Sequence, residues 1–238
     1  MNANEMRYEF DVLYDKIASL ESPGYTDQEV SVFFNKAQHI FVKNGYNPFT
    51  SLEQNDRRRR EFVELKRDYN SSTLSTSQVG VNPNGYFFDL PSDFMLPLKE
   101  ETTIVSSDNC ANGTRIPLRI ITEDEYTIQL RNPFKRPVAK GLDTDFAWRL
   151  DFSQATAGTK RVELISDGTF TFGAYHLRYL KTPQDIIPFG DGSTTVQQDC
   201  ELDSLSHREI IDIAIRIASG VTTPQEYQIK VNEERVNN

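Results

Sequence analysis

The spacing of apolar residues along this 238-residue chain changes twice, and that change constrains the fold more than any single motif. In residues 1–70 apolar side chains recur three and four positions apart, which is the period of an amphipathic α-helix. Between residues 85 and 200 they form short runs separated by Pro, Gly and Asp, which is typical of β-strands. Helical spacing returns after residue 201. The order predicts an α+β fold in which a β-rich segment interrupts a helical part.

Three helices are predicted in the N-terminal part. The first spans about residues 6–20, and the second fills the stretch TDQEVSVFFNKAQHIFVKNGYNP, where Thr26 and Glu29 have the spacing of a capping box. The third contains four consecutive arginines in NDRRRREFVELKRDYN, residues 55–70. Its apolar residues, at helical spacing on one face, are Phe62, Leu65 and Tyr69.

Two more helices are predicted at the C-terminal end. The stretch SHREIIDIAIRIASG has a Ser206 cap and an apolar stripe too wide for a surface helix, so other elements should cover it on both sides. The last segment, TTPQEYQIKVNEERVNN, has few apolar residues and is expected to project or to dock on a partner. Its candidate subunit-interface residues are Tyr227, Ile229 and Val231. We expect the N-terminal and C-terminal helices to pack as a bundle.

The inserted region is expected to form an antiparallel β-rich domain. The stretch VELISDGTFTF predicts a hairpin, since Asp167-Gly168 suits a tight turn with positive φ. Gly173 predicts a β-bulge in the next strand, because the aromatic phase shifts there. The expected organisation is a helical part at 1–70, a polar linker or arm at 71–84, the β-rich domain at 85–200, and C-terminal helices at 201–238 that rejoin the helical part.

Charge and hydropathy exclude several classes of protein. The formal net charge of -9 argues against general affinity for nucleic acid, which depends on neutralisation of phosphates by Lys and Arg. No apolar run approaches the roughly 18 residues needed to cross a bilayer, and the first residues lack the apolar core of a secretory leader. We therefore expect no membrane partner. The two cysteines, Cys110 and Cys200, do not predict a disulfide framework.

Motifs for catalysis and cofactor binding were sought without success. The sequence contains no phosphate loop, dinucleotide fingerprint, HExxH or CxxC, and its three histidines are far apart. Carboxylates cluster at Asp143 and Asp145 and again between residues 191 and 203, and such oxygens can hold a hard cation. A metal-dependent hydrolase or a carbohydrate-binding protein therefore stays open as an alternative. We assign no catalytic, cofactor-binding or metal-binding residue and expect no cofactor.

The arginine run allows two interpretations. Consecutive helical residues are about 100° apart, so the four arginines would fan around a helix rather than enter one groove. Residues 55–69 also hold six basic and four acidic side chains, which permits ion pairs at i, i+4 spacing. Arg57, Arg58 and Arg60 are therefore candidates for contacts between subunits. The alternative is a nucleic-acid-binding module built on this helix.

Four motifs in order carry a family resemblance over roughly the last 150 residues. They are YFFDLPSDFM; ITEDEYTIQLRNPFKRP with the following AWRLDF; YHLRYLKTPQDI; and CELDSLSHREIIDIAIRIASGVTTPQEYQIKVNEE. Together they resemble the tail ring proteins of crAss-like bacteriophages. The order of helices, β-rich insert and returning helices is also similar to the head-to-tail adaptor proteins of short-tailed phages.

The resemblance implies a structural virion protein rather than an enzyme. Such a protein would form a ring of about twelve identical copies in the portal–tail assembly, put together in the host cytoplasm. Its partners would be the portal protein and adjacent tail ring proteins. Genomic DNA would pass through the lumen without specific binding, because acidic side chains repel phosphates over a Debye length of about 8–10 Å.

Overall fold

The computed structural model describes residues 1–15, 24–46, 62–71, 79–107, 111–140, 145–152, 160–188 and 196–222. The chain divides into two compact units. Unit 1 combines Met1–Leu65 with Pro183–Asn238, and unit 2 is the continuous segment Lys66–Thr182. Unit 2 is therefore inserted between the two segments of unit 1.

Four α-helices and seven β-strands are formed by the described residues. The helices are α1 (Ala3–Asp15), α2 (Asp27–Tyr46), α3 (Glu123–Leu130) and α4 (Ser204–Thr222). The strands are β1 (Lys66–Ser71), β2 (Gly85–Asp89), β3 (Phe94–Ser106), β4 (Arg115–Ile120), β5 (Ala147–Phe152), β6 (Arg161–Ile165) and β7 (Phe170–Lys181). A single 3₁₀ turn at Val63–Leu65 precedes β1.

Unit 1 is built from α1, α2 and α4 around an aromatic cluster. The buried ring of Phe10 stacks 5.8 Å from Tyr14 and meets Phe34 edge-on at 5.7 Å. Helix α4 contacts both α1 and α2, so its wide apolar stripe is covered as predicted. The buried residues of that stripe are Ile210, Ile211, Ala214, Ile215 and Ala218.

The ends of two helices test the predicted caps. The Thr26 amide donates to the Glu29 carboxylate at 2.9 Å and the Glu29 amide donates to Thr26 Oγ1 at 3.4 Å, which confirms the capping box of α2. The predicted Ser206 cap is wrong. Helix α4 begins at Ser204, and the Ser206 amide inside it donates to the carbonyl of Asp203 at 2.9 Å.

Unit 2 is a seven-stranded sheet with the strand order β1-β7-β3-β4-β5-β6-β2. The predicted fold, an antiparallel insert between helices packed as a bundle, is wrong. Strands β4 and β5 run parallel, with Leu118 opposite Ala147, so the sheet is mixed. Parallel neighbours need a long crossover connection. Residues 121–146 make that connection and include α3, which places a helix in the middle of the chain as well as at its two ends.

The predicted third helix falls partly outside the described residues, and its described part contains one 3₁₀ turn, Val63–Leu65, followed by a strand instead of an α-helix. Residues 66–71 form β1, which pairs antiparallel with β7. Leu65 belongs to unit 1, whereas Tyr69 packs against the core of unit 2, so these two residues do not share a helix face. Backbone pairing with β7 therefore makes this segment a strand, although the spacing of its apolar residues predicts a helix.

Of the two local predictions in the β region, one is wrong and one is confirmed. The chain bends at Gly168, which has φ 91°, but β6 pairs with β2 and β5 while β7 pairs with β1 and β3. The two strands are therefore not a hairpin. The bulge at Gly173 is present, because Thr103 lies opposite Ala174 while Ile104 lies opposite Phe172.

The sheet curls so that strands far apart in its order face each other. Phe88 on β2 and Tyr175 on β7 have ring centroids 5.5 Å apart, and Tyr86 meets Phe172 edge-on at 5.8 Å. These rings belong to the main core of unit 2. A second cluster around Trp148 lies under Tyr126 of α3.

A buried ion pair crosses the interior of unit 2. Arg149 Nε on β5 lies 3.0 Å from Glu100 Oε1 on β3, and both side chains are nearly inaccessible to solvent. The Tyr175 hydroxyl donates to the same carboxylate, and Arg149 Nη2 lies 2.7 Å from the exposed Asp151. Burial raises the pKa of Glu100, and Arg149 opposes that shift. The pair therefore keeps a charge in the interior that would be costly alone.

A glycine-bordered loop closes over a second buried carboxylate. Glu163 on β6 accepts hydrogen bonds from the Asn82 amide at 2.7 Å and from Asn82 Nδ2 at 2.8 Å. Gly80 and Gly85 flank this contact, and a Cβ at either position would lie only 2.0 or 2.2 Å from Glu163 Oε1. These positions require glycine because the carboxylate fills the space of a side chain.

We expect Gly80→Ala to destabilise the protein by about 1–3 kcal/mol, since the added methyl group must displace a hydrogen-bonded, buried carboxylate. Urea denaturation measures the change. Gly24→Ala is the matched control, because a Cβ at Gly24 meets no atom within 4 Å. Equal stability of the two variants would show that the loop gives way without cost.

Candidate interaction surfaces

The six residues predicted at subunit interfaces lie outside the described part of the chain. They are Arg57, Arg58, Arg60, Tyr227, Ile229 and Val231. Their role stays a prediction, and the same holds for the arginine run as a nucleic-acid contact. The candidate surfaces below come from described residues only.

Helix α3 is a short surface helix with two exposed apolar residues. It begins after Thr122, and its first turn carries three acidic residues, which favours a helix N-terminus. Tyr126 anchors it through an edge-on contact with Trp148 at 5.9 Å. Every residue of α3 keeps some solvent exposure, and Ile128 is 72% exposed. Two apolar side chains, Ile128 and Leu130, therefore face solvent.

The turn after α3 presents an aromatic ring to solvent. The Lys135 amide donates to the Asn132 carbonyl at 3.1 Å, and the Phe134 amide donates to Asn132 Oδ1 at 3.0 Å. Arg136 Nε donates to the Leu130 carbonyl at 2.8 Å and ties the turn to the helix end. Phe134 is 93% exposed. We call residues 128–136 the Phe134 knob.

The Phe134 knob has the composition of a binding surface. Aromatic side chains and arginines are enriched in protein interfaces, and a rigid turn loses little conformational entropy on binding. The sequence reasoning used this stretch for a family resemblance and missed it as a surface. The available signal was an Asn-Pro turn that places Phe134 between charged residues, outside any apolar period.

A second surface is a charged face of the sheet on β1, β3, β4 and β7. Arg178 binds the Asp68 carboxylate through two hydrogen bonds of 2.7 and 3.2 Å, and Lys99 lies 2.7 Å from Glu101. The hydrogen bond from Arg178 lowers the pKa of Asp68. These opposite charges pair within the face.

His176 lies in the middle of this charged face. Its Nε2 is 2.8 Å from Thr103 Oγ1 and its Nδ1 is 2.8 Å from Asn70 Oδ1. A neutral ring satisfies both contacts if Nδ1–H donates to Asn70 and Nε2 accepts from Thr103. Burial and the nearby Arg115 lower the pKa of His176.

We expect an NMR titration of His176 to give a midpoint below its ordinary value of 6.5. A histidine whose folded pKa is lowered binds its proton more readily when unfolded, so this group reduces stability as the pH falls below 6.5. The control is the same titration in urea, where the unfolded chain should return to the ordinary value. A His176 titration midpoint in the folded protein at or above that of the unfolded chain would contradict a neutral His176 imidazole.

Two of the carboxylates considered as metal ligands, Asp145 and Asp199, accept hydrogen bonds from backbone amides. Asp145 Oδ2 accepts from the Lys140 amide at 2.7 Å, and Asp199 Oδ1 accepts from the Ala3 amide at 2.7 Å. Asp143 and Asp191 lie outside the described residues. Within the described ranges no group of three or more His, Cys, Asp or Glu side chains could hold a metal ion.

Among the described residues, no helix combines the length and the apolar character that crossing a membrane requires.

Unit 2 is thus a mixed sheet inserted between the two segments of unit 1, and it carries the exposed Phe134 knob. The chain belongs to the phage tail ring protein 3/4 family, whose sequence profile matches residues 1–228. It is 32% identical over 237 residues to ring protein 4/5 of Bacteroides phage crAss001, covering 92% of this chain and 93% of that protein. It is 28% identical over 204 residues to ring protein 3 of the same phage, covering 81% and 84%.

These relationships confirm the resemblance to tail ring proteins of crAss-like phages. They support a structural role in the phage tail. The family match starts at residue 1, so the likeness extends beyond the four motifs to the N-terminal helices.

Proposed function

We propose that this protein forms a closed ring of about twelve copies in the portal–tail assembly of a crAss-like phage virion. The observation that carries the proposal is the family match over residues 1–228, together with two relatives named as ring proteins. The protein acts as a structural component and not as an enzyme. Copies assemble in the host cytoplasm and are then part of the virion.

The ring continues the channel through which genomic DNA leaves the capsid. Each copy contributes a formal net charge of -9, and we propose that some of its acidic side chains line the lumen. Acidic side chains within about 8–10 Å of DNA repel its phosphates, and the DNA passes without specific binding. A nucleic-acid-binding role for Arg57–Arg60 would instead give an affinity that falls steeply with salt.

The two open ends of the ring dock the portal protein and adjacent tail ring proteins. Arg57, Arg58 and Arg60 are proposed to pair with acidic groups of neighbouring subunits. Tyr227, Ile229 and Val231 are proposed as apolar contacts of the C-terminal segment. Each partner is held by protein–protein contacts rather than by a cofactor.

Immunogold labelling of virions tests this placement. Antibodies raised against the purified chain are expected to mark the junction of head and tail, with pre-immune serum as the control. Gold confined to the capsid shell would overturn the proposal, as would absence of the chain from purified virions by mass spectrometry.

A further inference from the structure

We propose that the Asn112-Gly113 pair, in the turn between β3 and β4, is a site of spontaneous modification by deamidation. The chain contains three Asn-Gly pairs, at Asn44-Gly45, Asn84-Gly85 and Asn112-Gly113. Asparagine before glycine is the sequence context in which this reaction is fastest, because glycine has no side chain to obstruct the attacking nitrogen. The fold separates the three pairs, and only the last can react while the protein is folded. This chemistry does not depend on the ring function.

The reaction is an attack within the chain followed by addition of water. The main-chain nitrogen of Gly113 loses its proton and bonds to the side-chain Cγ of Asn112, and the side-chain amide takes up a proton and leaves as ammonia. One water molecule then opens the resulting succinimide ring at either of its two carbonyls. Opening yields aspartate in the ordinary main chain, or isoaspartate, in which the main chain gains a methylene group. Either product adds one negative charge to the formal net charge of -9.

Asn112 and Gly113 are both open to water in the turn. Both residues are exposed, and Gly113 adopts a φ of 78°, which glycine tolerates and other residues rarely do. A Cβ at Gly113 would meet no atom of the described residues within 4 Å beyond its chain neighbours, so the attacking nitrogen is not crowded. The Ser106 amide donates to Asn112 Oδ1 at 3.3 Å. A donor at this oxygen stabilises the negative charge that develops there when the nitrogen attacks.

One hydrogen bond must open before Gly113 can react. Its amide donates to the Ile104 carbonyl at 3.0 Å, and the Ile104 amide donates to the Thr114 carbonyl at 3.1 Å. These bonds close the turn beyond the last paired residues of β3 and β4, Thr103 and Arg115. Hydrogen bonds at an exposed strand end open at little cost in free energy, so the Gly113 nitrogen becomes available without unfolding of unit 2.

The Asn84-Gly85 pair is protected by a buried carboxylate. Gly85 is buried in β2, its amide donates to the Asn82 carbonyl at 3.0 Å, and its carbonyl accepts from the Gly80 amide at 2.7 Å. Glu163 Oε1 fills the space that a side chain on Gly85 would take. Its negative charge opposes loss of a proton from the neighbouring amide and the negative charge of the intermediate. This pair should react only when the loop and β2 open together.

The Asn44-Gly45 pair is protected by helix α2. Gly45 lies inside that helix, where each main-chain amide donates to the carbonyl four residues back. Ring closure would require Asn44 to leave the helical conformation and Gly45 to give up that hydrogen bond. The Phe62 ring also fills the space next to Gly45 that a side chain would take. The nitrogen of this pair is therefore both bonded and covered.

Peptide mapping of the full chain tests the site. The folded protein is incubated at mildly alkaline pH in water enriched in heavy oxygen, then digested in ordinary water, and each Asn-Gly peptide is followed by mass spectrometry. We expect Asn112 to take up one heavy oxygen about tenfold faster than Asn84 or Asn44, a factor equivalent to one protecting hydrogen bond. The matched control is the same incubation in urea, where the three pairs lose their structure and should react at similar rates.

Two results would overturn the proposal. One is a folded protein in which Asn84 or Asn44 reacts as fast as Asn112, because the fold would then not separate the pairs. The other is a folded protein in which Asn112 stays unmodified while it reacts in urea, because the Ile104 hydrogen bond would then protect the turn. Asn112→Gln is the control for the assignment, since its longer side chain closes a ring only slowly. That variant should lose the signal of this peptide and keep the signals of the other two.

Discussion

Replacing Arg149 by leucine is expected to destabilise the protein by about 3–5 kcal/mol, because the substitution leaves the Glu100 carboxylate buried without its cation. Arg149 is 3% exposed and reaches Glu100 from a different strand, so water cannot readily take its place. The Tyr175 hydroxyl remains as a donor to Glu100, but a neutral donor does not replace a positive charge. Trp148 is the only tryptophan in the sequence and is adjacent to Arg149, so its fluorescence reports this unfolding directly.

The Arg149→Leu variant should also acquire a dependence on pH. Burial already raises the pKa of Glu100 above its ordinary value of 4.5, and loss of Arg149 removes the opposing charge. When a carboxyl group has a higher pKa in the folded protein than in the unfolded chain, the folded protein loses stability as the pH rises through the folded pKa. The difference between variant and wild type should therefore shrink as the pH is lowered toward 4.5.

The double variant Glu100→Leu/Arg149→Leu is the control for the buried charge. Replacing both partners by apolar residues is often close to neutral, so the double variant should be more stable than Arg149→Leu alone. A double variant as unstable as the single one would contradict this reading. It would mean that Arg149 acts through its packing and not through the carboxylate.

Phe10→Ala is the second change with a large expected effect, again about 3–5 kcal/mol. The Phe10 ring is fully buried and touches aromatic rings from α1 and α2, so its removal opens a cavity at the centre of unit 1. Helical circular dichroism is the suitable probe, because Trp148 lies in unit 2. Tyr8→Ala on the same helix is the control and should change the stability of the free chain by less than about 0.5 kcal/mol. A loss below about 1 kcal/mol for Phe10→Ala would show that the cluster repacks.

The helices of unit 1 could be predicted because their signals are local. Thr26 and Glu29 are three residues apart, and the apolar stripe of α4 repeats within a few turns. Such signals depend on the helix itself and not on distant partners. The start of α4 was misplaced because Asp203 and Ser206 are both plausible near a helix N-terminus.

The sheet could be predicted only in part, because its pairing depends on distant residues. The run of residues 66–71 has three charged residues followed by Tyr69, Asn70 and Ser71, with no apolar alternation, and its strand pairing comes from β7 about 110 positions later. The parallel pairing of Leu118 with Ala147 has no local signature, so an antiparallel sheet was the natural expectation. The bulge at Gly173 could be predicted because it changes which face of the strand the aromatic residues occupy, and that change is visible within one strand.

The candidate surfaces were harder to predict than the fold. Exposure of Phe134 depends on what the rest of the crossover leaves uncovered, and Tyr8 lies two positions from the buried Met6 and Phe10, on the other side of α1. A sequence pattern marks such residues as apolar but not as exposed. The arginine run drew attention through charge alone, and it lies outside the described residues.

The most direct test of the ring is the mass of the assembled species, measured by light scattering and followed by electron microscopy. The 27.3 kDa chain, alone or mixed with its portal protein, is expected to form closed particles of about twelve copies with a central hole. A chain that stays monomeric in both conditions, or that forms only dimers or open filaments, would contradict the ring.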